Sequence, residues 1–212
     1  MTRGGSTAVA MRDGTPPSTT PLLERLRNVA TEGYPAPWVA ERQAELLLSA
    51  AGIKAPAVPE EIVNAIALIE IRRWAGLSLS GMASRDGPGW VILLRAEDSE
   101  MRQRFTLLHE LKHIIDEPLV DDVESHTGID TPYRRSEHLA NYFAACVLMP
   151  ATWVRRDWAW GLRDHKQLGE RYGVHRRGVQ VRLSELGLIE AERDLRDGLF
   201  KNRARIVEGA LP

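Results

Sequence analysis

Residues 109–113 are the stretch that most constrains the fold and the chemistry of this chain. They read H-E-x-x-H, and the apolar residues around them recur at the three- and four-residue spacing of a helix. In a helix, His109 and His113 lie on one face, because four residues make slightly more than one turn. Glu110 lies at the flank of that face. Two imidazoles and a carboxylate in this arrangement predict a catalytic zinc site, with one zinc ion per chain.

Composition narrows the class of protein. The chain has 212 residues, of which 43% are hydrophobic, enough for one medium-sized domain or one domain with a small appendage. Its net charge of −1 gives no overall field that would attract nucleic acid or membranes. Cys146 is the single cysteine and fits a reducing cytoplasm. Without a secretion signal or an apolar run of about 18 residues, we expect a cytoplasmic protein with no membrane partner.

The periodicity predicts an α+β fold that is mostly helical, with a small antiparallel sheet of about three strands. Helical spacing of apolar residues precedes the H-E-x-x-H helix, which we expect to begin at an Asp98 or Ser99 cap and to end near Asp116. Alternating or continuously apolar runs between these helices indicate the strands. The predicted helices are 21–33, 38–51 and 60–68, and the predicted strands are 69–74, 77–82 and 90–94.

Four regions are predicted along the chain. Residues 1–20 read as a disordered leader, 21–161 as a zinc metallopeptidase domain, 162–190 as a helix-turn-helix-like unit and 191–212 as a C-terminal tail. The polar, irregular residues 117–136 read as a rim or lid over the site. In the helix-turn-helix-like unit, exposed arginines are candidates for contact with nucleic acid or a partner protein. They are Arg176, Arg177 and Arg182.

A third metal ligand is needed, and Glu137 is the best candidate. We expect it to begin a later helix, capped by Ser136, that returns antiparallel to the first. Asn141 lies four residues further on the same face, where it can hold a ligand imidazole by its second nitrogen. The other residues of this helix are mainly apolar, so a polar pair on one face indicates that it meets something polar.

Several other polar residues near the motif have competing interpretations. Glu117 is an alternative ligand, although Pro118 predicts the helix end there, and Asp116 is either a partner of His113 or a helix cap. His126 is a further nitrogen donor or a surface histidine, as is His138. An oxyanion formed during hydrolysis needs a donor, for which Tyr133 and His126 are the candidates.

Two longer motifs point to a known family. Residues 104–113 read R-F-T-x-x-H-E-x-x-H, and residues 137–150 read E-x-x-A-N-x-F-A-A-x-x-L-M-P. Together they resemble the ImmA/IrrE family of metallopeptidases, over about residues 38–187. The resemblance implies a ligand set like that of gluzincins, with His109, His113 and Glu137 binding zinc and Glu110 acting as the catalytic glutamate. Lys112 stands where the family often has glycine, and Glu117 where it often has histidine.

The resemblance also implies a substrate. Members of that family cleave or inactivate helix-turn-helix transcriptional repressors, in stress responses and mobile elements, so a repressor protein is the expected partner. Direct DNA binding by the helix-turn-helix-like unit is the less favoured hypothesis, because one copy makes few phosphate contacts. A regulator that binds metal or repressor with little proteolysis is a further alternative, and Lys112 would add a cation beside the site.

Overall fold

The computed structural model describes residues 20–117 and 132–190, with side chains from residue 134 onward in the second range. Residues 1–19 of the predicted leader, the predicted tail and most of the predicted lid (118–131) lie outside the described residues. In chain order the elements are α1 (Leu22–Arg27), α2 (Ala36–Ala50), a 3₁₀ helix (Glu60–Ala65), β1 (Ile69–Trp74), β2 (Gly81–Asp86), β3 (Gly89–Arg95), α3 (Glu100–Asp116), α4 (Pro132–Leu148), α5 (Ala151–Ala159), α6 (His165–Tyr172) and α7 (Arg176–Glu185).

The predicted α+β class is confirmed, but the sheet is mixed rather than antiparallel throughout. The strand order is β1-β3-β2, with β3 antiparallel to β2 and parallel to β1. The reason is burial: Val91, Ile92 and Leu94 of β3 are at most 1% exposed, and a strand buried on both faces takes the centre of a sheet. The more polar β1 and β2 occupy the two edges.

Several predicted boundaries differ from the structure, and the helix predicted at 21–33 spans only Leu22–Arg27. β2 begins at Gly81 rather than at residue 77, and it joins β3 through a tight turn at residues 87–88. The helix predicted at 60–68 is a shorter 3₁₀ helix. α4 begins at Pro132 instead of residue 137, because proline fits the first turn of a helix, and Ser136 is therefore not its cap.

α3 and α4 form the centre of the molecule. Leu107, Leu108 and Leu111 of α3 and Phe143 of α4 are fully buried, and one hydrophobic core continues from α2 through the sheet to α6 and α7. α2 packs on α4, and α3 lies against both α4 and the β2–β3 hairpin. In the described part of the chain, no helix combines the length and apolar character needed to cross a membrane.

Candidate metal centre

α3 presents the H-E-x-x-H residues at the junction of α4 and β2. Ser99 caps the helix, its hydroxyl accepting a hydrogen bond from the backbone N–H of Arg102. His109 is 8% exposed and Glu110 is 3% exposed. Burial of such polar groups requires polar partners, and α4 supplies them.

Three donor side chains meet at one point. His113 Nε2 lies 3.1 Å from His109 Nε2 and 3.2 Å from Glu137 Oε1, and His109 Nε2 lies 3.7 Å from Glu137 Oε2. Donors about 2.0–2.1 Å from one tetrahedral ion are about 3.3–3.4 Å from each other. The observed separations therefore fit a single zinc-sized ion held by two nitrogens and a carboxylate.

The ring nitrogen of His109 that faces away from the other two donors also has a partner. His109 Nδ1 lies 3.0 Å from Asn141 Oδ1, so Nδ1 carries the proton and leaves Nε2 free to coordinate a metal. α3 and α4 run antiparallel, so that His109 lies opposite Asn141 and His113 lies opposite Glu137. The spacing of four residues on each helix thus matches across the pair.

Glu110 points from the same turn towards the sheet. Its carboxyl group accepts a hydrogen bond from the backbone N–H of Ala83 on β2. Burial raises the pKa of Glu110 to about 7, with nearby Glu137 adding to the increase and His113 opposing it. A carboxyl group with a pKa near neutrality can both accept and return a proton. The role of Ala83 has no sequence signature, because the donor is a backbone group.

The two imidazoles have opposite pKa shifts. Burial, together with the nearby His113, lowers the pKa of His109 to about 4, so this ring is neutral at physiological pH. Burial also lowers the pKa of His113, but the hydrogen bond that its imidazole donates to Glu137 and the charges of Glu110, Glu137 and Asp116 outweigh that effect, so the net shift is upward. A metal ion bound at these nitrogens would compete with protons for the same lone pairs.

The alternative ligands lie elsewhere. Glu117 accepts hydrogen bonds from Arg85, at 2.5 and 3.0 Å, and contacts Arg27. Asp116 accepts a hydrogen bond from Lys112 at 2.5 Å, rather than orienting His113. Lys112 is directed towards α2 and is not beside the donors, which corrects the expectation of a cation at the site. His138 is exposed and outside the donor group.

The structure also corrects one predicted contact residue. Arg182 is 1% exposed, donates a hydrogen bond to the Met149 carbonyl at 3.1 Å and pairs with Glu185, so it is not available to nucleic acid. Arg176 and Arg177 are exposed on α7. The two candidate oxyanion donors, the side chains of His126 and Tyr133, lie outside the described residues.

Two of three comparisons with known proteins found a match. A search of curated proteins finds no match. The solved structure of a Mycobacterium tuberculosis transcriptional regulator matches with a TM-score of 0.55 and 19% identity over 77% of this chain and 51% of that one. This likeness shows a shared fold, and our chain spans about half the length of that protein.

The family model described as Peptidase_M78, IrrE N-terminal-like domain, matches residues 73–184, more than half of the sequence and the whole donor group. The chain therefore belongs to the Peptidase_M78 family, whose model describes the IrrE N-terminal-like domain, as the two motifs predicted.

Proposed function

We propose that the protein is a cytoplasmic zinc-dependent endopeptidase. The observation that carries the proposal is the position of a buried carboxyl group, Glu110, next to three donors spaced for one ion. His109, His113 and Glu137 would hold the zinc, which would lower the pKa of a bound water and polarise a peptide carbonyl. Three protein ligands leave a coordination position open for this chemistry.

Glu110 is the residue that moves the proton. It would accept a proton from the attacking water and deliver it to the leaving amine, a role that its position beside the three donors allows. The hydrogen bond from Ala83 fixes the carboxyl group relative to β2. β2 is an edge strand, and Ala83 is at a position where the N–H points away from β3. An extended substrate peptide would add beside this edge.

The test of the mechanism is Glu110→Gln. We expect this variant to bind one zinc ion as the wild type does, because no ligand is lost, and to cleave substrate at least about 100-fold more slowly, because the proton acceptor is gone. Glu100→Gln is the matched control, on the first, exposed turn of the same helix. Full cleavage by Glu110→Gln would refute the role of Glu110.

We further propose that the substrate is a helix-turn-helix transcriptional repressor acting in a stress-response or mobile-element switch. Family membership supports the peptidase domain, and the two helices α6 and α7 around Gly173 would serve in docking. The zinc-loaded protein should be incubated with the repressor encoded beside its gene, and the products identified by mass spectrometry. Cleavage at a defined bond is the expected result.

The same experiment tests the second candidate, a regulator that binds the repressor or DNA without proteolysis. This second candidate is supported by the name of the matched solved structure, a transcriptional regulator, although the identity is low. Repressor binding without cleavage would support it, and so would a salt-dependent shift of DNA by this protein alone. Burial of Arg182 leaves fewer cations for DNA on α7 and favours the peptidase.

A further inference from the structure

One residue beside the donor group is not explained by the proposed chemistry. Ser136 immediately precedes Glu137 on α4, and its Oγ lies 3.4 Å from His113 Nδ1. Since α4 begins at Pro132, Ser136 lies inside the helix and does not serve as its cap. The hydroxyl thus meets the ring nitrogen of His113 that faces away from Glu137 and His109.

The chemistry of a metal-binding imidazole explains what the contact between Ser136 and His113 can do. If His113 coordinates a metal through Nε2, its Nδ1 carries a proton and donates a hydrogen bond. A serine oxygen accepts such a bond. His109 has the same arrangement with Asn141, at 3.0 Å. Each imidazole therefore has its own oxygen partner, and both partners lie on α4 with Glu137.

We infer that Ser136 is a positioning residue for the metal centre, which holds His113 in the Nδ1–H tautomer and fixes the angle of its ring. The inference rests on the proposed metal site. Under this inference α4 contributes three residues to the metal centre. Ser136 holds the His113 imidazole, Glu137 supplies a ligand, and Asn141 holds the His109 imidazole.

A purely structural role for the hydroxyl predicts a different result. A structural hydrogen bond stabilises the folded chain whether or not zinc is bound, whereas a positioning bond acts mainly on zinc affinity. The two roles are separated by measuring zinc affinity and zinc-free stability on the same variants. Removal of such an outer partner typically weakens metal binding 10- to 100-fold, about tenfold being expected for a neutral hydroxyl.

The experiment compares Ser136→Ala and Ser136→Thr with the wild type by chelator competition for zinc and by urea unfolding in chelator. Ser84→Ala is the matched control, because Ser84 Oγ is buried without a hydrogen-bond partner among the described residues and lies on the opposite face of β2 from Ala83. We expect about tenfold weaker zinc binding in Ser136→Ala, wild-type affinity in Ser136→Thr and Ser84→Ala, and unchanged zinc-free stability in Ser136→Ala. The visible spectrum of the cobalt-substituted chain should also shift in Ser136→Ala alone.

Three outcomes would overturn the inference. Zinc affinity of Ser136→Ala within twofold of the wild type would remove the role of the hydroxyl. An equal loss in Ser136→Thr would show that side-chain shape matters rather than hydrogen bonding. A matching loss of zinc-free stability would assign a structural role. If the wild type binds no zinc at all, the proposed metal centre itself fails and this inference falls with it.

Discussion

Lys112 offers a sharp test of the packing behind the metal centre. It lies inside the H-E-x-x-H motif, yet it is 1% exposed, and its Nζ donates hydrogen bonds to Gln43 Oε1 at 2.9 Å and Asp116 Oδ1 at 2.5 Å. Burial lowers its pKa, and the ion pair with Asp116 opposes that effect. Lys112→Met removes the ammonium group while retaining a flexible chain of similar volume.

The expected loss in the free energy of unfolding follows from the Asp116 carboxylate, which is left without its partner when the ammonium group is removed. Removing one partner of a buried ion pair costs about 3–5 kcal/mol, because the other charge stays buried without compensation. The Asp116 side chain is 14% exposed, so water can reach part of it, and we take the lower end, about 3 kcal/mol. For a chain of this size, about 1 kcal/mol corresponds to a change of about 2–4 °C in Tm, so the loss should be about 6–12 °C.

The assays are urea unfolding and thermal unfolding of the full chain at a fixed zinc concentration. Lys166→Met is the matched control: Lys166 and Glu170 form the same lysine–acid pair, four residues apart, at 3.9 Å, but their side chains are 81% and 63% exposed. We expect this control to lose less than about 0.5 kcal/mol. In the double variant Lys112→Met/Asp116→Leu no unpaired charge remains, and at least half of the loss should be recovered.

Either of two results would refute this reasoning. Equal losses in Lys112→Met and Lys166→Met would show that burial does not strengthen the dependence on the ion pair. A double variant that loses the sum of the two single losses would show that Lys112 and Asp116 are not coupled.

Three further predictions concern metal removal, a turn and an acid-sensitive contact. Chelation should lower the apparent stability by about 4 kcal/mol relative to zinc at 1,000 times its Kd, measured by thermal unfolding, and no change would count against the site. Gly173→Ala should cost about 1–2 kcal/mol in urea unfolding, because Gly173 has φ +63° and an added Cβ would collide with the Arg104 guanidinium, which donates a hydrogen bond to the Gly173 carbonyl. Burial raises the pKa of Asp157, but the hydrogen bonds from Arg171 and Tyr172, at 2.6 and 2.7 Å, outweigh it and hold the pKa below its usual value. Because this folded-state pKa lies below the unfolded value of about 3.9, the stabilisation is present above that pH and is lost as pH falls through the folded value. The difference in unfolding free energy between wild type and Asp157→Asn should therefore be constant near neutrality and shrink below about pH 4, whereas a constant difference at all pH values would contradict the argument.

Local rules predicted the helical parts of the site well. The Ser99 cap follows from side-chain capping, and the end of α3 at Asp116 follows from Pro118, which disfavours helix at the preceding residue; both are local effects. The meeting of His109 with Asn141 and of His113 with Glu137 follows from equal spacing on two helices that pack antiparallel. Such features depend on few residues, so the sequence contains enough information to infer them.

Features set by distant packing were not predictable in the same way. The order of the strands depends on which one is buried on both faces, and that requires knowing what covers the sheet. Arg182 fits an exposed face of α7 by composition, but in the fold it reaches the Met149 carbonyl and the ring of Tyr142. A charged residue that ends up buried and paired looks the same in a sequence as one in solvent.

The same limit explains why the position of Lys112 was predicted wrongly while that of Glu110 was predicted correctly. At about 100° per residue, Glu110 and Lys112 lie symmetrically, about 80° to either side of the face shared by His109 and His113. Helical geometry therefore cannot say which of them borders the cleft and which lies behind it. The fold decides: the Glu110 side meets the β2 backbone, and the Lys112 side meets Gln43 of α2. The carboxyl group is thereby left beside the donors, while the ammonium charge is neutralised by Asp116 at a distance from the reaction.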